Sequence, residues 1–277
     1  MYSTDIKRLS RQFLPQDFKL TDWASVAPYF EQLVATPIDQ LNHLQKWLKN
    51  LSELEAVISE DACWRQIRMT CDTENKELEE SYNFFCTEIQ PHIQPYADAL
   101  NKKLLASKAL QLLNADEYFT YLRSIQKNID LFREENIPLQ SEISVLQQQY
   151  GQITGDMMIR VNGQEYTLQQ AAKFLENPDR ALRQQVYEQI QERRLEDKEK
   201  LDLLFDKLVQ LRNQEAHNAG FKNYRDYRFK ELGRFDYSKE DCYQFHEAVK
   251  RHVLPLVNKI LEQKKIKLGV ENLRPWD

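Results

Sequence analysis

The sequence predicts a mainly α-helical protein with one small β-hairpin near residues 158–167. Apolar residues recur every three or four positions over most of the chain, which is the spacing that places them on one face of a helix. Only 6 of the 277 residues are glycine, and this argues against a fold rich in tight β-turns. The one strong strand signal is the segment at 158–167, where two short β-prone runs flank an Asn-Gly pair.

The first part of the chain predicts a series of amphipathic helices after an extended arm over residues 1–20. Thr21 is a candidate N-cap for a helix over residues 22–35, and the Thr-Pro pair at 36–37 is typical of a second helix start. The polar triplet at residues 59–61 is expected to break or re-cap this second helix. Its apolar stripe comprises Leu41, Leu44, Leu48, Leu51, Leu54 and Ile58.

Prolines divide the segment that follows. Thr73 is a candidate cap, and helical spacing continues from Leu78 to Ile93. Pro91 and Pro95 are expected to kink or end this helix, because each lacks a backbone donor and clashes with the preceding turn. Further helices are expected over residues 95–107, 116–135 and 139–154.

The Asn-Gly pair at residues 162–163 is the favoured two-residue hairpin turn, because both of its positions need positive φ. A lone hairpin is marginally stable in water, so this one needs a bed of helices or additional strands. A short helix over residues 168–174 is expected to follow it. The Asn-Pro-Asp sequence at 177–179 then predicts a helix that extends toward Ala219, unless its charged middle at residues 191–200 breaks it into two.

Stop and start signals are concentrated between residues 220 and 255. Gly220 is a candidate left-handed C-cap, and Asn223 is a candidate cap for a helix over 224–232. Ser238 begins a sequence that resembles a capping box, with Asp241 at its third helical position. The final helix is expected to bend at Pro255.

The overall charge and the cysteine spacing exclude several classes of protein. The net charge is -5, which disfavours non-specific binding to nucleic acid because such binding needs a basic surface. The four cysteines form no CxxC pair, so disulfides are not expected and a reducing compartment is favoured. The sequence shows no secretory signal and no apolar run long enough to span a membrane. A cytoplasmic location is therefore expected, with neither nucleic acid nor membrane as a partner.

Motifs for catalysis and metal binding are missing from the sequence. The nearest approach to a zinc-binding helix starts at His246, but Lys250 stands where the second histidine ligand would be. No phosphate-binding loop, dinucleotide fingerprint or nucleophile elbow is present. We therefore expect no catalytic residue and no metal ligand in this chain.

The segment 212–237 combines aromatic and basic side chains. One interpretation makes it the wall of a ligand-binding cleft, since arginine binds carboxylates through two parallel hydrogen bonds. The alternative, which we favour, makes Tyr224, Tyr227 and Phe221 core anchors, with the arginines solvated or paired with neighbouring acids. The residues that we propose for a substrate-channel wall are Tyr227, Arg228, Arg234 and Tyr237.

Six sequence blocks resemble the amino-terminal half of oligoendopeptidase F, a family of zinc metallopeptidases related to thimet oligopeptidase. Their order and spacing match over about residues 160–277. The helical region before residue 155 is compatible with the family but less specific. The blocks are NGQEYTL (162–168), NPDRALRQQVYE (177–188), LVQLRNQEAHNAGFKNYRDYRF (208–229), RFDY with ED (234–237 and 240–241), VLPLVNKI (253–260) and LRPWD (273–277).

The resemblance implies a function in which this chain lacks the reacting groups. In that family an HExxH helix and a downstream glutamate hold the zinc, and both lie beyond the LRPWD block. The chain would then be an amino-terminal helical lobe (1–156) followed by the first part of a peptidase domain (157–277), truncated before the zinc motif. It would form the wall of a channel for short peptides, and a carboxy-terminal catalytic half would be its partner.

Two other functions remain open at this point. A stand-alone helical interaction module needs no catalytic residues and fits the abundance of amphipathic helices. Nucleic-acid binding through Arg225, Arg228 and Arg234 is a weaker hypothesis, because the chain is acidic overall. An exposed apolar face distinguishes the half-enzyme from the stand-alone module. The half-enzyme predicts such a face, where the missing half would pack, and a self-sufficient monomer does not.

Overall fold

A computed structural model describes residues 10–277 of the chain. These residues are mainly helical and contain one two-stranded antiparallel sheet, which confirms the predicted fold class. Part of the expected extended arm, residues 1–9, lies outside the described residues. Within residues 10–277, no helix is both long enough and apolar enough to cross a membrane.

The described chain divides into two compact units. The first unit contains residues 10–151 and 208–231, and the second contains residues 152–207 and 232–277. These units are not continuous in sequence, so they do not test the predicted domain boundary after residue 156, which stays a prediction. The helices of the first unit are α1 (Trp23–Ala35), α2 (Leu41–Cys71), α3 (Lys76–Phe84), α4 (Gln90–Ala106), α5 (Ala115–Leu131) and most of α6 (Asn136–Gly155).

Helix α2 differs from the sequence prediction at its start and in its middle. The predicted start at residues 36–37 is wrong, because Gln40 is the N-cap and the chain is extended before it. The predicted interruption at residues 59–61 is also wrong, since α2 runs unbroken for 31 residues. Polar residues on the outer face of a helix do not break it when its apolar face is packed. Asp61 moreover pairs with Arg65 one turn later at 2.6 Å.

Two π-helical turns precede prolines. The turn Phe85–Ile89 comes before Pro91 in α4, and the turn Val249–Val253 comes before Pro255. In each turn a backbone N–H reaches back five residues, so the helix widens where a proline ring would otherwise clash. The interruption predicted at Pro91 therefore takes the form of a π turn, which lies just before the proline. Helix α4 does not end at Pro95 but continues to Ala106.

The core of the first unit lies where α1, α2 and α4 meet. Trp47 is 1% exposed, and its indole Nε1 donates a hydrogen bond to the Leu33 carbonyl at 2.9 Å. The Lys103 ammonium also donates to that carbonyl, at 2.8 Å, and to the Val34 carbonyl at 2.6 Å. These donors satisfy carbonyls that the end of α1 leaves without a helical partner.

The segment before α1 is held by one carboxylate on α2. Glu53 accepts hydrogen bonds from the backbone N–H groups of Gln12, Phe13 and Leu14, at 2.7, 3.0 and 2.8 Å. Three donors on one carboxylate fix the path of an otherwise irregular chain.

The second unit is built on the predicted hairpin. Strands β1 (Met158–Val161) and β2 (Gln164–Thr167) pair antiparallel around Asn162 and Gly163, whose φ values are 53° and 81°. The remaining helices of the chain are α7 (Leu168–Ala171), α8 (Arg180–Glu196), α9 (Lys198–Asn218), α10 (Tyr224–Glu231), α11 (Lys239–Ala248) and α12 (Leu254–Leu268).

The hairpin rests on helices and has no further strand among residues 10–277. Ile159 and Val161 of β1 share a buried cluster with Val186 and Ile190 of α8. The long helix expected after residue 179 breaks at Asp197, between α8 and α9, within its charged middle. Helix α9 belongs to the second unit up to residue 207 and to the first unit from residue 208.

Candidate functional site

The junction between α9 and α10 carries the aromatic and basic residues singled out by the sequence. Helix α9 is followed by Gly220 at φ 84°, and the Phe221 N–H bonds to the Ala216 carbonyl at 2.9 Å. This is the glycine-ended helix stop that was predicted. Asn223 then caps α10, because its side-chain oxygen accepts from the Asp226 N–H at 3.0 Å.

The rings of this junction form a small core. Tyr227 is 2% exposed and lies in a buried cluster with Leu131, Ala216 and Ala219. Its ring meets that of Phe221 edge to face, with the centroids 5.6 Å apart. Tyr227 is therefore an anchor of the first unit, and it also lines a cavity of about 300 Å³.

A buried carboxylate sits beneath this aromatic core. Glu215 is 5% exposed, and its Oε1 accepts hydrogen bonds from Gln140 Nε2 at 2.7 Å and from the Tyr227 hydroxyl at 3.1 Å. Burial raises the pKa of the Glu215 carboxyl, while these two hydrogen bonds act in the opposite direction. Burial and the nearby carboxylate also raise the pKa of Tyr227, so its hydroxyl stays a proton donor.

The other proposed channel residues are more exposed. Arg228 pairs with Glu231 on the same helix, Nη1 to Oε2 at 2.5 Å. Arg234 and Tyr237 lie between α10 and α11, and the Tyr237 side chain is 47% exposed. Tyr227 and Arg228 belong to the first unit, and Arg234 and Tyr237 to the second. Their role as one channel wall stays a prediction.

A second charged cluster, which the sequence reasoning missed, occupies the second unit. The Asp277 side chain is 1% exposed and binds Arg180 through two parallel bonds, Nε–Oδ1 at 2.7 Å and Nη2–Oδ2 at 3.0 Å. Arg183 Nε donates to the Trp276 carbonyl at 2.7 Å. The Arg180 guanidinium lowers the pKa of Asp277 to about 2, helped by the Arg274 N–H. The sequence signal for this cluster is the pair Arg180 and Arg183, three positions apart on one helix and within one block (177–188) of the family resemblance.

Helices α11 and α12 carry many apolar side chains that nothing in the described chain covers. No residue of α11, of the π turn after it or of α12 is buried. We call this set the exposed apolar surface. Its most exposed members, with exposed fractions of 67, 58, 62 and 77%, are Phe245, Leu256, Ile260 and Ile266.

The described residues do not fit a metal ion. Across residues 10–277, no group of three or more His, Cys, Asp or Glu side chains is arranged to hold one. His246, the first residue of the incomplete zinc-like sequence, is exposed on α11 and contacts the rings of Tyr243 and Phe245.

Two family models match separate segments of the chain. The model of the Peptidase M3 N-terminal domain matches residues 13–132, and that of Peptidase family M3 matches residues 173–277. Together the two models cover well over half of the chain. A search among curated proteins gave no match.

Solved structures share the fold. An X-ray structure at 3.1 Å described as oligoendopeptidase F has a TM-score of 0.88 and 24% identity, covering 94% of this chain and 46% of that one. PZ peptidase A, solved with an inhibitor, gives 0.87 and 24%, with coverages of 94% and 46%. A chain described as oligoendopeptidase F from Bacillus anthracis str. Ames gives 0.88 and 22%, with coverages of 97% and 50%.

The present chain thus spans about half the length of the solved structures that it matches. Identities below one quarter establish a common fold and no more. The two family models carry the assignment further, because they follow one another in the chain and belong to one family. The chain belongs to peptidase family M3.

Proposed function

We propose that this chain is the amino-terminal part of a zinc-dependent peptidase that hydrolyses short peptides, and that it supplies a channel wall instead of the catalytic residues. The observation that carries the proposal is the succession of the two family models along the chain. In this proposal the metal ligands and the catalytic base lie outside the 277 residues. A cytoplasmic location belongs to the same proposal.

The exposed apolar surface is the contact that we propose for the rest of the enzyme. Helices of globular proteins owe most of their stability to a packed apolar face, and α11 and α12 have apolar side chains without such packing. The matched solved chains are about twice as long as this one. A carboxy-terminal segment of similar size is therefore the occupant that we propose for this surface.

Substituting one residue of that surface tests whether a carboxy-terminal segment covers it. Ile260→Asp leaves the chain alone nearly unchanged, within about 0.5 kcal/mol, because the side chain is 62% exposed. In the full reading frame the same substitution buries an unpaired charge and lowers the free energy of unfolding by about 3–5 kcal/mol.

The matched control is Gln263→Asp, an exposed polar position on the same helix. Urea unfolding of both variants, in the chain alone and in the full reading frame, measures the difference. An equal effect of Ile260→Asp in both backgrounds would remove the support for a docking surface.

The channel residues are tested in the full protein by peptide turnover. If Arg234 contacts peptide, Arg234→Gln raises KM for short peptides by about tenfold, whereas the exposed Arg225→Gln does not. Unchanged KM in both variants would exclude Arg234 from the channel wall.

The abundance of helices also fits a second candidate, a helical interaction module that acts without catalysis, although that candidate does not account for the exposed apolar surface. This function predicts a stable complex with another protein and no chelator-sensitive peptide cleavage in the full reading frame. Cleavage by the full reading frame would decide for the peptidase.

A further inference from the structure

A polar cavity of about 510 Å³ lies within the first unit, between α6, α9 and α10. Its charged lining residues are two arginines, Arg212 and Arg228, and two glutamates, Glu215 and Glu231. Arg228 and Glu231 are paired with each other, so their charges are already matched. Arg212 and Glu215 are one turn apart on α9 but form no ion pair with each other in the described chain.

Arg212 retains unused hydrogen-bond donors. Its guanidinium lies over the Tyr224 ring, with the central carbon 5.7 Å from the ring centroid, and this contact fixes the group without using its in-plane N–H bonds. Its Nε is buried and has no hydrogen-bond partner among the described residues. A buried donor without a partner costs free energy, so an acceptor from a ligand is the natural complement.

Glu215 retains an unused acceptor. Both of its side-chain hydrogen bonds, from Gln140 and from Tyr227, go to Oε1. Oε2 has no partner among residues 10–277, although the side chain lines the same cavity. The cavity therefore presents an unmatched cation and an unmatched carboxylate oxygen one helical turn apart.

We propose that this cavity binds a zwitterion, an α-amino acid or a short peptide with free ends. Its carboxylate would accept from the Arg212 guanidinium, and its ammonium would donate to Glu215 Oε2. A volume of about 510 Å³ lies within the range of small-ligand pockets. The binding does not depend on catalysis, so it holds whether or not the proposed peptidase function is correct.

The test uses the 277-residue chain and four probes in isothermal titration calorimetry. The probes are L-alanine, Ala-Ala, N-acetyl-Ala-Ala and Ala-Ala amide. Saturable binding of L-alanine or Ala-Ala is expected, and the stronger of the two identifies the source of the zwitterion. Each blocked peptide loses one charge and is expected to bind at least tenfold more weakly than Ala-Ala.

Variants assign the two charges to their residues. Arg212→Gln and Glu215→Gln are each expected to weaken zwitterion binding by about tenfold or more. Arg225→Gln is the matched control, because Arg225 is exposed on α10, pairs with Asp226 and does not line the cavity. Far-UV circular dichroism verifies that each variant is folded.

Three results would overturn the proposal. The first is no saturable binding of either L-alanine or Ala-Ala. The second is equal affinity for Ala-Ala and its blocked forms, which needs no variant and so cannot be confused with misfolding. The third is unchanged affinity in a folded Arg212→Gln chain.

Discussion

Replacing Tyr227 by phenylalanine isolates one hydrogen bond to a buried carboxylate. The ring keeps its place against Phe221 and Ala216, and only the hydroxyl that donates to Glu215 Oε1 at 3.1 Å is lost. Gln140 still donates to the same oxygen at 2.7 Å. Because almost no volume is removed, the cost of an empty cavity is small beside that of the lost bond.

The size of the loss depends on the charge of Glu215. A hydrogen bond to a charged group contributes about 1.5–3 kcal/mol, and a neutral one about 0.5–1.5 kcal/mol. Burial raises the pKa of the Glu215 carboxyl above its ordinary 4.5. Tyr227→Phe is therefore expected to cost about 1.5–3 kcal/mol once the pH is high enough to ionise the Glu215 carboxyl, and less near pH 4, where the carboxyl is protonated.

The wild-type chain is also expected to be less stable at high pH, because of the same carboxyl. A carboxyl whose pKa is raised on folding binds its proton more tightly in the folded state. Its contribution to stability is complete below the ordinary pKa of 4.5, and it is lost as the pH rises through the folded value. Glu215→Gln removes this dependence, and in that background Tyr227→Phe costs about 0.5–1.5 kcal/mol at every pH.

Urea unfolding followed by far-UV circular dichroism at pH 4 and pH 8 measures all four combinations of these substitutions. Tyr237→Phe serves as the control, because that side chain is 47% exposed and water can replace any partner of its hydroxyl. A loss under about 0.5 kcal/mol for Tyr227→Phe at pH 8, or an equal loss with Gln at position 215, would refute the reasoning.

Three further substitutions test the fold. Trp47→Ala is expected to cost about 3–5 kcal/mol, because it empties a buried site and removes the bond to Leu33. Gly163→Ala is expected to cost about 1–2 kcal/mol through backbone strain at φ 81° alone, since no neighbour lies within 4 Å of the added carbon. Asp277→Asn is expected to make the stability of the chain less sensitive to acid. The pKa of the Asp277 carboxyl, about 2, lies below its ordinary 3.8. The carboxylate therefore stabilises the fold fully above pH 3.8, and this stabilisation is lost as the pH falls toward 2. Thermal unfolding measures the first two, and unfolding between pH 5 and pH 2 the third.

Matched controls exist for each of these substitutions. Trp64→Ala removes the same side chain at a site that is 49% exposed and is expected to cost far less. Gly151→Ala, within α6, is expected to stabilise by about 0.5–1 kcal/mol. Glu165→Gln breaks an exposed pair with Arg160 and should not alter the acid response. A control that matched its test substitution would contradict the corresponding argument.

The sequence predicted the elements whose signals are local. The Asn-Gly turn, the Gly220 stop and the capping box at Ser238 are all present, since each depends on the conformation of one or two residues. The break within the charged segment 191–200 is present at Asp197. Such signals need no knowledge of the rest of the fold.

The errors arose where packing overrides local preference. Residues 59–61 were expected to interrupt α2, but Leu54 and Ile58 before them are buried in the core and Met69 after them is also buried. The Pro at position 37 was expected to begin a helix, yet the chain stays extended up to Gln40. In both cases contacts with distant parts of the chain outweigh the local preference. The segment before Gln40 is held by hydrogen bonds from Lys103 to the Thr36 carbonyl and from Ser107 to the Ile38 carbonyl.

The candidate site was only partly predictable. The aromatic and basic run pointed to residues 212–237. Tyr227 is a core anchor there, and Arg225 and Arg228 pair with neighbouring acids, as the favoured interpretation held. The pairing of Tyr227 with Glu215 could not be predicted from the sequence, because carboxylates are frequent in a helical sequence and only the fold shows that Glu215 is buried. Contacts between Arg180 and Asp277 join residues 97 positions apart, a separation that spacing rules do not address.

Peptide cleavage by the full reading frame tests the central claim most directly. A quenched fluorescent peptide is incubated with zinc and either the 277-residue chain or the full reading frame that contains it. We predict no turnover by the chain alone and cleavage by the full reading frame that a chelator abolishes. Turnover by the chain alone, or none by the full reading frame, would contradict the proposal that this chain is the non-catalytic part of an M3 peptidase.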